Sequence, residues 1–270
     1  MYFLTGGRKS RSALYRITYS GDRPTDPVDY PRPGRLVDLR RQLEQLHQQP
    51  KVDNIDAAWP HLAHPDRFIR FAARTAIELV GVTTWFDRAF NEPDTQARLE
   101  ALLAVARTST DNQYQQAAVN ALTQLEFESL SLEQQLHYLR TVALIMMRMG
   151  QPLPSTRQFV HSLSQFYPSP SDLVNRELVR VLAASKWDGL VERTVDLISA
   201  SDVQEQQIHY AIAIHQIENG WTEQLRKRYL QWFIDAAQFA GGSSFRKYLK
   251  NIRTEFVGRL EPAIRDQLQD

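Results

Sequence analysis

Two stretches of this 270-residue chain carry one apolar pattern at one distance from an aspartate. Counting from Asp66, Ile69, Ala72, Ala73, Ala76, Ile77 and Val80 fall at +3, +6, +7, +10, +11 and +14. Counting from Asp111, the same offsets give Tyr114, Ala117, Ala118, Ala121, Leu122 and Leu125. This spacing puts each set on one stripe of a helix, with the aspartate where an N-cap side chain accepts from free backbone N–H groups. It predicts helices over about 67–80 and 112–125. Matching stripes with caps 45 positions apart predict a stacked helical repeat, in which each unit buries its apolar face only against its neighbours.

The helical pattern extends through most of the chain. Leu36, Leu39, Leu43 and Leu46 give a first helix ended near Pro50, and Asn54 to Trp59 begin a second. Trp85 to Phe90 is a short apolar segment, and a helix follows Asn91–Asp94 as far as Ala106. Ser131 with Gln134 has capping-box spacing, opening a helix to Met149. Prolines 152, 154, 168 and 170 bracket a helix at about Ser155–Phe166, and Asp172 and Asp202 are expected to cap two more. Leu225, Tyr229, Trp232, Phe233 and Ala236 stripe a helix over Thr222–Phe239, which Gly241-Gly242 should end. Ser243 or Ser244 should cap the next, striped by Phe245, Leu249, Ile252 and Phe256.

Residues 1–20 differ. Tyr2–Thr5 and Leu14–Tyr19 are rich in β-formers and flank the basic turn Gly6–Ser12, which predicts one hairpin. Prolines 24, 27, 31 and 33 with Gly34 make a linker composition. The expected organisation is a hairpin at 1–20, a Pro-rich linker at 21–35 and a helical domain at 36–270. The expected fold class is all-α, an irregular α-solenoid of helix pairs with a short N-terminal β-hairpin.

Composition narrows the chemistry. A hydrophobic content of 43% and a charged content of 23% suit a folded globular chain. The net charge of +1 excludes a strongly basic nucleic-acid protein, although residues 1–41 hold nine Arg/Lys against four Asp. With no cysteine, this chain has no disulfides, thiolate metal sites, cysteine nucleophile or covalently attached haem. The longest purely apolar run, Val142–Met147, is far short of the ~20 residues of a membrane helix, so membrane insertion is not expected. Met1–Gly6 has neither a basic n-region nor a long apolar h-region, and no signal peptide is expected.

No set of side chains has the spacing of a catalytic constellation, and no catalytic, cofactor-binding or metal-binding residue is assigned. His61 and His64 flank a turn without a third ligand nearby and read as a polar loop pair. His209 and His215 lie on an apolar helix and read as partly buried imidazoles. Arg67, Arg70 and Arg74 line the polar side of one helix, with Glu78 four residues beyond Arg74. The expected role is a salt-bridge ladder between repeats plus an i,i+4 pair, rather than an anion-binding ridge. The one basic concentration is Arg226, Lys227, Arg228, Arg246, Lys247, Lys250 and Arg253. Within it Arg226, Lys227, Arg246, Lys247 and Lys250 are the candidate interaction surface; Trp232, Phe245 and Tyr248 beside them fall on apolar stripes and should be core. Gly241–Ser244 reads as a helix-to-helix turn.

At His64-Pro65-Asp66-Arg67-Phe68-Ile69-Arg70-Phe71-Ala72-Ala73 the chain resembles a HEAT repeat. That resemblance makes Asp66, Arg70 and Asp111 structural repeat positions of a ladder. A longer set, Ala58-Trp59-Pro60, His64–Arg70, Gln207–Tyr210, Gly220–Thr222 and Gly241–Phe245, resembles the HEAT-like module of planctomycete-type membrane-bound dehydrogenases. In that family the module lies between a sugar-dehydrogenase-like β-propeller and a cytochrome c domain. Tyr2–Arg8 and Leu14–Tyr19 resemble the last propeller strands. The resemblance implies a fragment that serves as a non-catalytic scaffold, with neighbouring propeller and cytochrome domains or another protein as partner, in the periplasm. The propeller's quinone and calcium residues and the cytochrome's Cys-x-x-Cys-His have no counterparts in this chain, so it implies no cofactor here. The alternative is a stand-alone HEAT-type protein whose groove takes a protein or nucleic acid.

Overall fold

The computed structural model describes residues 1–7, 10–24, 34–242 and 244–267. Most of the Pro-rich linker expected at 21–35 lies outside these residues, as does Ser243. The chain is all-α apart from an N-terminal hairpin of β1 (Tyr2–Gly7) and β2 (Ser10–Arg16). The strands pair antiparallel, Phe3 opposite Tyr15 and Leu4 opposite Leu14. The rings of Phe3 and Tyr15 stack with centroids 5.1 Å apart.

Twelve of the helices form two rows. They are α1 (Arg35–Leu46), α2 (Asp53–Ala58), α3 (Arg67–Glu78), α4 (Phe86–Phe90), α5 (Thr95–Thr108) and α6 (Gln115–Thr123), followed by α7 (Leu132–Arg148), α8 (Pro154–Ser162), α9 (Asp172–Ala184), α10 (Leu190–Ala200), α11 (Gln204–Ile214) and α12 (Glu223–Ala236). In the first row α1 packs on α3, α3 on α5, α5 on α7, α7 on α9 and α9 on α11. In the second row α4 packs on α6, α6 on α8, and α10 on α12. Between rows, α2 meets α3, α4 meets α5, α6 meets α7, α8 meets α9, and α10 meets α11. The continuous core lies between the rows. The chain finishes with α13 (Phe245–Arg259), which packs on α12, and α14 (Pro262–Gln267).

Local sequence explains the helix starts. Asp66 accepts from the backbone N–H of Phe68 at 2.7 Å and of Ile69 at 3.3 Å. Asp111 accepts from Gln113 N at 2.9 Å, Ser131 and Gln134 form both halves of the capping box, and Thr222 accepts from Leu225 N at 3.2 Å. Each such cap contributes about 0.5–2 kcal/mol. The stripe of α3 is buried throughout, as are Tyr114, Ala118, Ala121 and Leu122 of the second stripe; Ala117 and Leu125 are half-buried. Helix α5 is buried on almost every side, as expected of a helix with packed neighbours on three flanks.

Several expectations need correcting. The two matching stripes are not equivalent places in a repeat, because α3 belongs to the first row and α6 to the second. The same stripe serves any helix that faces the core between rows, so it reports burial and not position. The segment after Asp111 begins as a 3-10 turn, Asn112–Tyr114, before α6. Asp172 is the first residue of α9 and not its cap; it pairs with Arg176 at 2.7 Å and accepts from the Tyr210 hydroxyl at 2.6 Å. Asp202 caps nothing: α11 starts after Val203, and the Ser201 hydroxyl accepts from Val203 N instead. Helix α12 ends at Ala236, before Gly241, and Ser244 at the start of α13 makes no side-chain cap. Helix α10 has no counterpart in the sequence reading, since Gly189 before it offers no cap side chain.

No helix among the described residues is long and apolar enough to cross a membrane.

Candidate docking groove

Helices α3, α5, α7, α9 and α11 of the first row turn one polar side outward, and together these sides line a groove of about 970 Å³. Seven arginines line it: 67, 70 and 74 from α3, 107 from α5, 140 from α7, and 176 and 180 from α9. Three glutamates accompany them (Glu100, Glu133 and Glu177), with no lysine and no aspartate in the lining.

The groove floor at one end is a buried ion network. Arg70 donates from Nε to Glu100 at 3.1 Å, and Arg74 donates from Nη1 to the other carboxylate oxygen at 2.6 Å. Arg70 also pairs with Glu133 and donates to the carbonyls of His64 and Pro65, tying the turn before α3 to α5 and α7. Glu78 accepts from Arg74 at 3.0 Å and from Arg107 at 2.8 Å. The geometry therefore contains both features expected at this helix, a ladder between neighbouring helices and the Arg74–Glu78 i,i+4 pair. Buried carboxylates held by two guanidinium groups are compensated charges, so this end of the groove is a lock more than a receptor.

His137 of α7 sits against this network, its Nδ1 3.9 Å from Glu100. Burial lowers its pKa below the ordinary histidine value; Glu100 opposes that shift, while Arg74 and Arg70 add to it. His209 of α11 donates to the Arg176 carbonyl at 3.3 Å, and burial lowers its pKa too.

Four arginines of the lining stand outside the network, of which Arg176 pairs with Asp172 at 2.7 Å and Arg180 with Glu177 at 3.5 Å. Arg67 and Arg140 are exposed and form no ion pair among the described residues. The Arg67 guanidinium lies 4.8 Å from the Phe68 ring centroid, and that of Arg74 lies 5.4 Å from Phe71. Phe68, Phe71 and Leu173 are about half exposed, at 54%, 56% and 49%. Exposed large apolar side chains sharing a groove with guanidinium groups are the ingredients of protein-binding hot spots.

The surface chosen from sequence is divided. Lys227 pairs with Glu223 at 2.6 Å and borders one cavity with Arg228 and Trp232; Arg226 is half-buried. Arg246 and Lys250 border a separate cavity of about 320 Å³ with Arg253, Phe233 and Leu249, and Lys247 lines neither. Trp232 is core as expected and Phe245 is half-buried, but Tyr248 is 47% exposed.

Of the two histidines with metal-like spacing, His64 serves the turn. His64 accepts through Nδ1 from Asp66 N at 3.0 Å. His215 meets Glu255 of α13 at 3.2 Å, a partner 40 residues away that no local spacing indicates. No group of three or more His, Asp or Glu side chains with metal-binding geometry occurs among the described residues.

The groove has a sequence signal after all. Arg74, Arg107 and Arg140 follow one another at 33-residue intervals, as do Arg67, Glu100 and Glu133. These series place polar side chains on consecutive first-row helices. A scan against protein-family models finds no match to this chain, and a search of curated proteins finds none either.

Proposed function

We propose that this chain is a non-catalytic helical scaffold of the HEAT-like solenoid kind, which docks a protein partner along the first-row groove. The observation that carries the reading is one groove lined by exposed, unpaired Arg67 and Arg140 together with half-exposed Phe68 and Phe71. A scaffold uses its rigid helix stack to hold such a surface in one shape, so little conformational entropy is lost on binding. The resemblance of His64–Ala73, Gly220–Thr222 and Gly241–Phe245 to the dehydrogenase-associated module supports a place inside a larger periplasmic oxidoreductase. There the scaffold would hold a dehydrogenase domain near its electron acceptor.

A photo-crosslinking residue at Phe71 tests the docking, with the same residue at exposed Gln231 of α12 as control. The expected result in the source cell is one discrete adduct from position 71 and none from 231. A haem-staining adduct, or one with a propeller-bearing polypeptide, places the scaffold in an oxidoreductase. Equal, diffuse labelling from both positions overturns the docking reading.

A further inference from the structure

We infer that the groove takes an acidic peptide segment carrying apolar anchors; this rests on the docking reading and names the partner's chemistry. Three observations point there. First, the lining is cationic by seven arginines to three glutamates, and exposed Arg67 and Arg140 have no ion-pair partner among the described residues. Guanidinium groups offer forked donors that match carboxylates. Second, Phe68, Phe71 and Leu173 leave apolar area in the same groove as those cations. A ligand with carboxylates alone would leave that area wet, whereas a peptide with interspersed leucine or phenylalanine covers it.

Third, the lining disfavours a nucleic acid. A continuous phosphate backbone would run past the 70% exposed side chain of Glu133 and the carboxylate of Glu177, with no lysine to offset them. Acidic side chains on a peptide are spaced, and spaced charges can avoid fixed carboxylates. Neighbouring packed helices stand about 8–10 Å apart. The four helices from α3 to α9 therefore span about 24–30 Å, which an extended peptide covers with about eight or nine residues.

The test is fluorescence anisotropy of the full chain with three labelled probes. They are a peptide of about nine residues alternating Asp with Leu or Phe, its counterpart with Lys for Asp, and a single-stranded oligodeoxynucleotide. Binding of the acidic peptide alone, weakened by salt, is expected. Arg140→Glu and Arg67→Glu should each weaken it about tenfold, while Lys250→Glu, on the other basic surface, should leave it unchanged. Both groove positions are exposed and unpaired, so unchanged melting curves verify the fold of the variants. Equal or tighter binding of the oligonucleotide, indifference to both reversals, or no binding of the acidic peptide overturns the inference. If the Phe71 crosslink persists in any of those cases, the docking reading stands and only the partner class falls. If the crosslink fails as well, both fall.

Discussion

Arg70 of α3 and Glu100 of α5 meet at 3.1 Å with side chains 8% and 5% exposed, the most deeply buried ion pair among the described residues. Glu100 answers two cations, Arg70 and Arg74, while Arg70 in turn holds two turn carbonyls and Glu133. Removing the carboxylate would leave two guanidinium groups in poor solvent without their counter-charge. Glu100→Ala is therefore expected to destabilise by about 3–5 kcal/mol, the range for breaking a buried pair from one side. For a chain of this size that is a fall in Tm of about 6 °C or more. Calorimetry checks it, and Glu133→Ala, at a 70% exposed side chain, should cost far less.

Ala73 of α3 and Ala118 of α6 have no solvent exposure, one in each row. At both positions a larger side chain has nowhere to go without parting helices. Ala73→Leu and Ala118→Leu are each expected to cost about 1–3 kcal/mol through overpacking. Chemical denaturation of the two single variants measures this. An unchanged midpoint at both sites would contradict the close approach of the rows.

How far the sequence reaches is visible in these same residues. The caps at Asp66, Asp111 and Ser131 are legible because a cap is a contact between a side chain and a backbone group two or three residues away. The α3 stripe is legible as buried for the same local reason. What local pattern does not carry is which helix covers which. Asp66 and Asp111 open helices of opposite rows although their stripes match, and Arg70 finds Glu100 and Glu133 at separations of 30 and 63 residues. The basic concentration near the C-terminus is conspicuous because its residues lie close in sequence, yet Lys227 and Arg228 of α12 border one cavity and Arg246, Lys250 and Arg253 of α13 another. The groove's arginines are spread over 114 positions, from 67 to 180; Arg67, Arg70 and Arg74 share one helix face, and Arg74, Arg107 and Arg140 recur at 33 residues, but no local pattern joins these to Arg176 and Arg180.

His137 makes stability depend on pH in a definite direction. Burial lowers its folded-state pKa below the ordinary 6.5, so the folded chain resists protonation that the unfolded chain accepts. The unfolded state then binds more protons as pH drops below about 6.5, and stability falls with it. His209, lowered by the same cause, acts in the same sense. Melting temperature is expected to be level above pH 7 and to decline between about pH 6.5 and 5. His137→Gln should flatten part of that decline, measured by thermal melts at constant ionic strength; an identical profile in the variant would remove His137 as its source.

The hairpin leads to the last expectation. Its strands are paired and Phe3 stacks on Tyr15, but among the described residues no covering layer sits on either face. Leu4 and Leu14 are 77% and 65% exposed, and Phe3 and Tyr15 are 42% and 49% exposed. The continuous core begins only with Leu39 and Leu43 of α1 and includes no residue of the hairpin. Two strands without a covering layer contribute little to stability and leave two edges with free backbone donors and acceptors. Removing residues 1–33 is therefore expected to leave the helical circular dichroism signal and Tm of the remainder unchanged within error. The same removal should lower self-association in concentrated solution, because seven large side chains from Tyr2 to Tyr19 leave the surface with it. Light scattering with a parallel thermal melt makes the comparison. A truncated chain that loses its cooperative transition would show that the hairpin closes the end of the helix stack, against the separation seen between Phe3 and the core.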